Sequence, residues 1–166
     1  MKALAMVKAI RELAAARFAL PITGIHGIRH WERVQENGLY LAKHAGADRT
    51  VVALFAFLHD CCRESEGSDP EHGLRAAAFA RSLPASLLRI DAEQLARLTF
   101  ACEFHEKGQL SDDPTIGACW DADRLDLGRV GRRPNPRFLS TERARKPSVI
   151  EWAYKRSRGL KAALKA

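Results

Sequence analysis

Long apolar runs are missing from this chain. None approaches the roughly 20 residues that a membrane-spanning helix needs, so a membrane protein is not expected. The alanine- and leucine-rich stretch from Met1 to Pro21 is broken by Lys8, Arg11, Glu12 and Arg17. It therefore lacks the continuous core of a signal peptide; it reads as an amphipathic helix and implies a cytoplasmic protein. The four cysteines, Cys61, Cys62, Cys102 and Cys119, form no C-x-x-C pair, which argues against a zinc ribbon or a thioredoxin-type motif. Buried thiols in a reducing compartment are the simpler expectation. Period-2 strand alternation is nearly absent, as are internal repeats and low-complexity tracts. There is no G-x-x-x-x-G-K-[ST] loop and no strand-bound G-x-G-x-x-G, so the common nucleotide-cradling loops are excluded.

What remains is an ordinary soluble composition, 46% hydrophobic and 28% charged, over 166 residues. That is enough for one domain with a real core and short for two. We expect a single domain over 1–166. The net charge of +7 is unevenly placed: residues 1–123 carry 14 Lys and Arg against 17 Asp and Glu, whereas residues 124–166 carry 13 against 3. A basic end of this kind suits nucleic acid or another polyanion, and equally a solvated helix face.

Helix signals recur along the chain. Asp48 caps a buried helix from Thr50 to Asp60, and Trp31 to Ala45 forms another that ends near Gly46. Asp69-Pro70 pairs a cap with proline at the first helical position and opens a helix to about Leu83. Asp91 with Gln94 resembles a capping box and opens a helix to about Glu106. Asp113-Pro114 repeats the cap-proline device, with the helix running to Leu127 and stopping near Gly128. Gly128 to Pro147, rich in arginine, glycine and proline, reads as a long basic loop. Ser148 with Glu151 then caps a last helix to about Lys165. The fold class is thus all-α, a helical bundle with a basic C-terminal loop and helix over 128–166.

Positions three, four and seven apart share a helix face, and several such faces carry misplaced polar residues. Asp123 aligns with Ile116, Cys119, Trp120 and Leu127, an expensive location for an uncompensated carboxylate; Asp121 points elsewhere and can be solvated. His59 aligns with Val52 and Phe55, His105 with Leu95, Leu98 and Cys102, and His72 with Ala76, Phe79 and Leu83. His30 aligns with Val34 and Leu41, and with His26 if that helix begins early. One histidine on an apolar face is usually a satisfied core residue. Several histidines and an aspartate on different helices instead suggest a metal site inside the bundle, with a donor set that suits Mn, Fe, Co, Ni or Zn.

His30, then His59-Asp60 ending the run Leu-Phe-Ala-Phe-Leu, then Asp123 within Asp-Ala-Asp-Arg-Leu-Asp, resembles the H…HD…D pattern of the HD-domain metal-dependent phosphohydrolases over about 25–127. The resemblance implies a helical bundle around a divalent transition metal held by His30, His59, Asp60 and Asp123. His26 competes with His30 for the first position. Some members of the family hold further metals with added histidines, which His72 in Pro-Glu-His-Gly and His105 in Phe-His-Glu resemble, and Asp60 would then bridge. The Gly-Tyr-Pro signature of the cyclic-dinucleotide branch is absent after His105, and so are the long accessory regions of the (p)ppGpp hydrolases.

The expected activity is hydrolysis of a phosphate ester, of a nucleotide or related small molecule, by metal-activated water. Asp60 would orient or deprotonate that water. Arg63, three residues on, is the candidate phosphate clamp, with Lys107 and Arg124 as lesser candidates. The competing reading is a module without enzymatic activity, in which Arg129 to Lys161 binds nucleic acid or an acidic partner, Trp152 and Tyr154 stack on bases, and the metal is structural.

Overall fold

The computed structural model describes residues 2–164, and among these every regular element is helical. Helix α1 spans Lys2–Arg17, α2 Ile28–Ala45, α3 Arg49–Leu58, α4 His72–Ser82, α5 Ala85–Leu88, α6 Ala92–Phe104, α7 Pro114–Arg124 and α8 Pro147–Ser157, with 3₁₀ turns at Leu127–Val130 and Pro136–Phe138.

The bundle forms around α3. All eight residues from Val51 to Leu58 are buried, so this helix is apolar on every side and has to be covered on every side. Helices α1, α2, α6 and α7 supply the cover. Asp48 starts α3 by accepting from the Thr50 and Val51 amides at 2.8 and 3.1 Å. Helix α2 begins three residues earlier than Trp31, which places His30 on its first turn, and ends on Gly46 in the left-handed conformation at φ 67°. The Asp91–Gln94 capping box forms in full and Asp113 caps α7. The indole of Trp120 donates to the Ala101 carbonyl at 3.0 Å and ties α7 to α6.

Helix α4 packs on α6 through Gly73, where a Cβ would lie 2.7 Å from the carbonyl oxygens of both Cys102 and Glu103. That close approach brings His72 to His105. The cysteines are buried and free; the Cys61 and Cys62 sulfurs lie 3.7 Å apart.

Several features differ from the sequence expectation. Asp69 does not cap α4. Its carboxylate accepts from the Glu64 amide and from Arg75, so Pro70 and Glu71 form a turn and the helix starts at His72. Helix α7 gives way to a turn after Arg124, before Leu127. Helix α8 opens on Pro147, whose fixed φ suits the first helical position, with Lys146 rather than Ser148 preceding it; Glu151 pairs with Arg133 and Lys155. That helix ends at Ser157, and Lys165 lies outside the described residues. Finally, Asp121 is buried. Its carboxylate accepts from the Ser140 and Thr141 amides and the Thr141 hydroxyl at 2.7–2.8 Å, fastening the following loop to α7.

Candidate metal centre

The ends of five helices converge on one point. His30 comes from the first turn of α2, His59 and Asp60 from the end of α3, His72 from the start of α4 and His105 from the end of α6; Asp123 joins from the last turn of α7. His30, His59, Asp60, His72 and His105 are at most 4% exposed. Their donor atoms form overlapping groups, each within 4.8 Å: His30, His59 and Asp60; His59, His105 and Asp123; Asp60, His72 and His105.

Hydrogen bonds on the outer nitrogens orient all four rings. His30 Nδ1 faces Asp126 Oδ2 at 2.7 Å. His59 Nδ1 faces the Phe55 and Ala56 carbonyls at 3.1 and 3.2 Å. His72 Nδ1 faces the Asp69 carbonyl at 2.5 Å, and His105 Nδ1 the Cys102 carbonyl at 2.7 Å. Each Nδ1 meets an acceptor and so carries the proton, and each Nε2 is left with its lone pair turned inward. The inward nitrogens then meet in pairs, His30 and His59 at 3.1 Å, His72 and His105 at 2.9 Å. Two lone pairs at that distance repel unless a proton or a cation lies between them.

The carboxylates complete the same pattern. Asp60 Oδ2 lies 3.5 and 3.6 Å from the His30 and His59 Nε2 atoms, while Oδ1 lies 3.2 and 3.6 Å from those of His72 and His105. One carboxylate thus addresses both histidine pairs. Asp123 Oδ1 sits 3.4 Å from His30 Nε2. Asp60 Oδ1 and Asp123 Oδ1 are buried without a hydrogen-bond partner, an unfavourable state for a carboxylate oxygen unless a cation meets it. Imidazole and carboxylate donors with orphaned oxygens fit a divalent transition metal.

The electrostatics agree. Burial opposes ionisation of Asp60, yet the four surrounding histidines hold it well below the usual carboxylate range. Burial pushes His59 down to about 3, so it stays neutral. For His30, burial and Arg129 oppose a proton, but hydrogen bonds to Asp123, Asp126 and Asp60 prevail and raise it to about 9. The metal-free site therefore keeps a proton where the facing nitrogens need a positive charge.

His26 stays outside the cluster. Its Nδ1 meets Glu66 Oε2 at 2.6 Å, joining the loop before α2 to the one after Asp60. Arg63 is buried, with Nη1 3.5 Å from Asp60 Oδ1 and 3.1 Å from His72 Nε2, while its Nε and Nη2 donate to the Ser65 and Gly67 carbonyls. Lys107 turns away to the Pro70 carbonyl and Glu106. The Arg124 guanidinium donates to the Phe138 carbonyl at 2.8 Å.

Three residues at the site were not among the sequence candidates. Asp126 supports His30 and is itself gripped by Arg33 Nε and Nη2 at 2.6 and 2.9 Å. Arg129, from the 3₁₀ turn, places Nη1 3.7 Å from Asp123 Oδ1. The cue for Asp126 was its place in Asp-Arg-Leu-Asp, three residues beyond Asp123 and one helical turn on; no comparable cue marks Arg33 or Arg129. The site opens into a cavity of about 270 Å³ lined by Asp60, Arg63, His72, Asp123, Leu127 and Arg129, among others.

A helical bundle closed around paired histidines and a shared aspartate is the HD-domain architecture that the motif resemblance implied. Among solved structures, the chain is similar to a predicted HD superfamily hydrolase from an uncultured Thermotogales bacterium, at 26% identity with a TM-score of 0.69, over 92% of this chain and 87% of that one. No family model and no curated protein matches the sequence. The shared fold and the buried His/Asp cluster support a metal-dependent hydrolase. Among the described residues no helix is long and apolar enough to cross a membrane.

Proposed function

We propose that this chain is a phosphohydrolase that cleaves a phosphate ester of a nucleotide or related small molecule. The observation that carries the reading is Asp60, whose two oxygens face two histidine pairs across a buried, orphaned donor set. His30, His59, Asp60 and Asp123 would hold one divalent transition metal, and Asp60, His72 and His105 a second. When bound, such a metal supplies Lewis-acid chemistry, acidifying water and offsetting phosphoryl charge.

The chain's own groups do the rest. The carbonyls and Asp126 fix the imidazole tautomers, so the ligands need no reorganisation. Asp60, kept ionised by its histidine neighbours, would orient or deprotonate the attacking water. Arg63, beside Asp60, offers a guanidinium to a phosphoryl oxygen as negative charge builds. The basic C-terminal segment gives the nucleic-acid reading little support, since Arg124, Arg143, Arg145 and Arg156 donate to groups within the bundle.

The test is elemental analysis together with a screen of metal-loaded protein against phosphomonoesters, nucleotides and cyclic dinucleotides. We expect bound transition metal, its loss in His59→Ala and Asp60→Ala, and turnover of at least one ester. Unchanged metal in both variants would refute the ligand assignment. Full metal with no turnover, and nucleic-acid binding that Arg132, Arg133 and Arg137 support, would favour the binding module.

A further inference from the structure

Arg129 stands beside the His/Asp cluster without belonging to it. Its side chain is only 9% exposed, an unusual degree of burial for an arginine on a 3₁₀ turn. Two of its nitrogens are committed: Nε donates to the Ile25 carbonyl at 3.0 Å and Nη1 to the Asp126 carbonyl at 3.3 Å. Those bonds fix the plane of the guanidinium between the loop before α2 and the end of α7. Nη2 makes no hydrogen bond to the described residues, and it is not sealed from solvent either. Arg129 lines the same cavity as Asp60, His72 and Asp123. A preorganised cation with an unspent donor, 3.7 Å from a ligand carboxylate, is an anion contact in waiting. It needs little further ordering to bind, because its rotamer is already set.

Arg63 makes the contrast. Its Nε and Nη2 each hold a loop carbonyl, and its Nη1 faces Asp60 and His72. Much of that guanidinium is taken up in shaping the segment after His59-Asp60.

We propose that Arg129 is a phosphoryl-binding residue of this site, donating through Nη2 to a phosphate oxygen in the cavity. The proposal rests on the phosphohydrolase reading and adds a contact that the sequence motif does not contain. It also assigns one member of the basic segment a task inside the bundle, apart from any polyanion surface.

The probe is inorganic phosphate, titrated calorimetrically into metal-loaded wild type, Arg129→Gln, Arg129→Lys and Arg63→Gln, with metal content and melting temperature measured on each. Losing a charge-assisted hydrogen bond should weaken phosphate binding about tenfold or more in Arg129→Gln. Arg129→Lys should retain part of the affinity because the charge stays, and metal content should hold in both. Arg63→Gln should lose less than Arg129→Gln. Wild type that binds phosphate, with a folded, metal-loaded Arg129→Gln or Arg129→Lys binding it equally well, would overturn the role of Arg129 and leave the phosphohydrolase reading intact. Wild type that loads metal and binds no phosphate would refute that reading and the proposal with it. If Arg129→Gln fails to fold, undiminished binding in Arg129→Lys combined with a larger loss in Arg63→Gln overturns the proposal.

Discussion

Replacing Asp126 by asparagine isolates the support behind His30 from the metal ligands themselves. The carboxylate is 1% exposed and receives three donors: His30 Nδ1–H at 2.7 Å and the Arg33 Nε and Nη2 at 2.6 and 2.9 Å. Asparagine keeps the shape but replaces one acceptor oxygen with an NH₂ group. If the amide oxygen stays on Arg33, the NH₂ confronts His30 Nδ1 and drives that ring to its other tautomer, with a hydrogen where the metal should bind. If the oxygen turns to His30, the NH₂ confronts Arg33 Nε and leaves a half-buried guanidinium donor unpaired. An NH₂ at the Oδ2 position loses the His30 and Arg33 Nη2 bonds, and one at the Oδ1 position loses the Arg33 Nε bond, so at least one charge-assisted hydrogen bond goes, about 1.5–3 kcal/mol. Applied to binding, that is about 10–100-fold in metal affinity. The loss should fall on the His30/His59 pair alone, because His72 and His105 rest on backbone carbonyls. The assay is a metal titration followed by calorimetry, with melting temperature as a check on folding. We expect one weakened site and one unchanged site. Wild-type affinity at both sites in a folded Asp126→Asn protein would refute the tautomer argument.

Three further outcomes follow from particular contacts. Metal binding should release on the order of one proton at pH 7, because burial and Arg129 are outweighed by Asp123, Asp126 and Asp60 in holding His30 up at about 9. The raised value means that this proton stabilises the metal-free fold below the ordinary histidine range, and that its contribution fades as pH rises through 9; apparent metal affinity should therefore climb with pH up to that point, and a binding heat independent of the buffer's ionisation enthalpy would contradict this. Gly73→Ala should lower stability by about 1–3 kcal/mol, measured by urea denaturation, because the new Cβ meets two α6 carbonyl oxygens at 2.7 Å; a neutral result would mean that α4 and α6 separate easily. Asp121→Ala should destabilise the fold by about 2–4 kcal/mol by stripping an acceptor from two amides and a hydroxyl, yet leave metal stoichiometry unchanged; loss of metal in a folded variant would place Asp121 in the site.

Local signals were the most legible part of this chain. Asp48, Asp91 and Asp113 each act on amides within three residues, so the starts of α3, α6 and α7 could be read directly. The inward histidines were legible for a similar reason, since periodicity alone assigns a face. The failures share a different cause. Asp69 looks like a cap until Arg75 and the Glu64 amide claim its carboxylate. Asp121 falls off the apolar stripe of α7, yet a loop some 20 residues later folds back and buries it. Two of its three partners are backbone amides, which no residue type announces. Asp126 reaches His30 across 96 positions, and that pairing depends on where α7 stops.

The basic segment was misleading for a related physical cause. Its composition, 13 Lys and Arg against 3 acids over 124–166, resembles a polyanion surface because charge counts carry no direction. The structure spends much of that charge inward. Arg124 holds the Phe138 carbonyl, Arg145 those of Leu139 and Ser140, Arg143 the Tyr40 hydroxyl and Arg156 the Asn37 side chain. A segment with only short 3₁₀ turns between α7 and α8 leaves many carbonyls without helical partners, and arginine, with five donors on a long stem, satisfies several at once. Arg129 follows the same rule at the Ile25 and Asp126 carbonyls, and differs in lining the cavity beside Asp60 and Asp123 with Nη2 left without a hydrogen bond to the described residues.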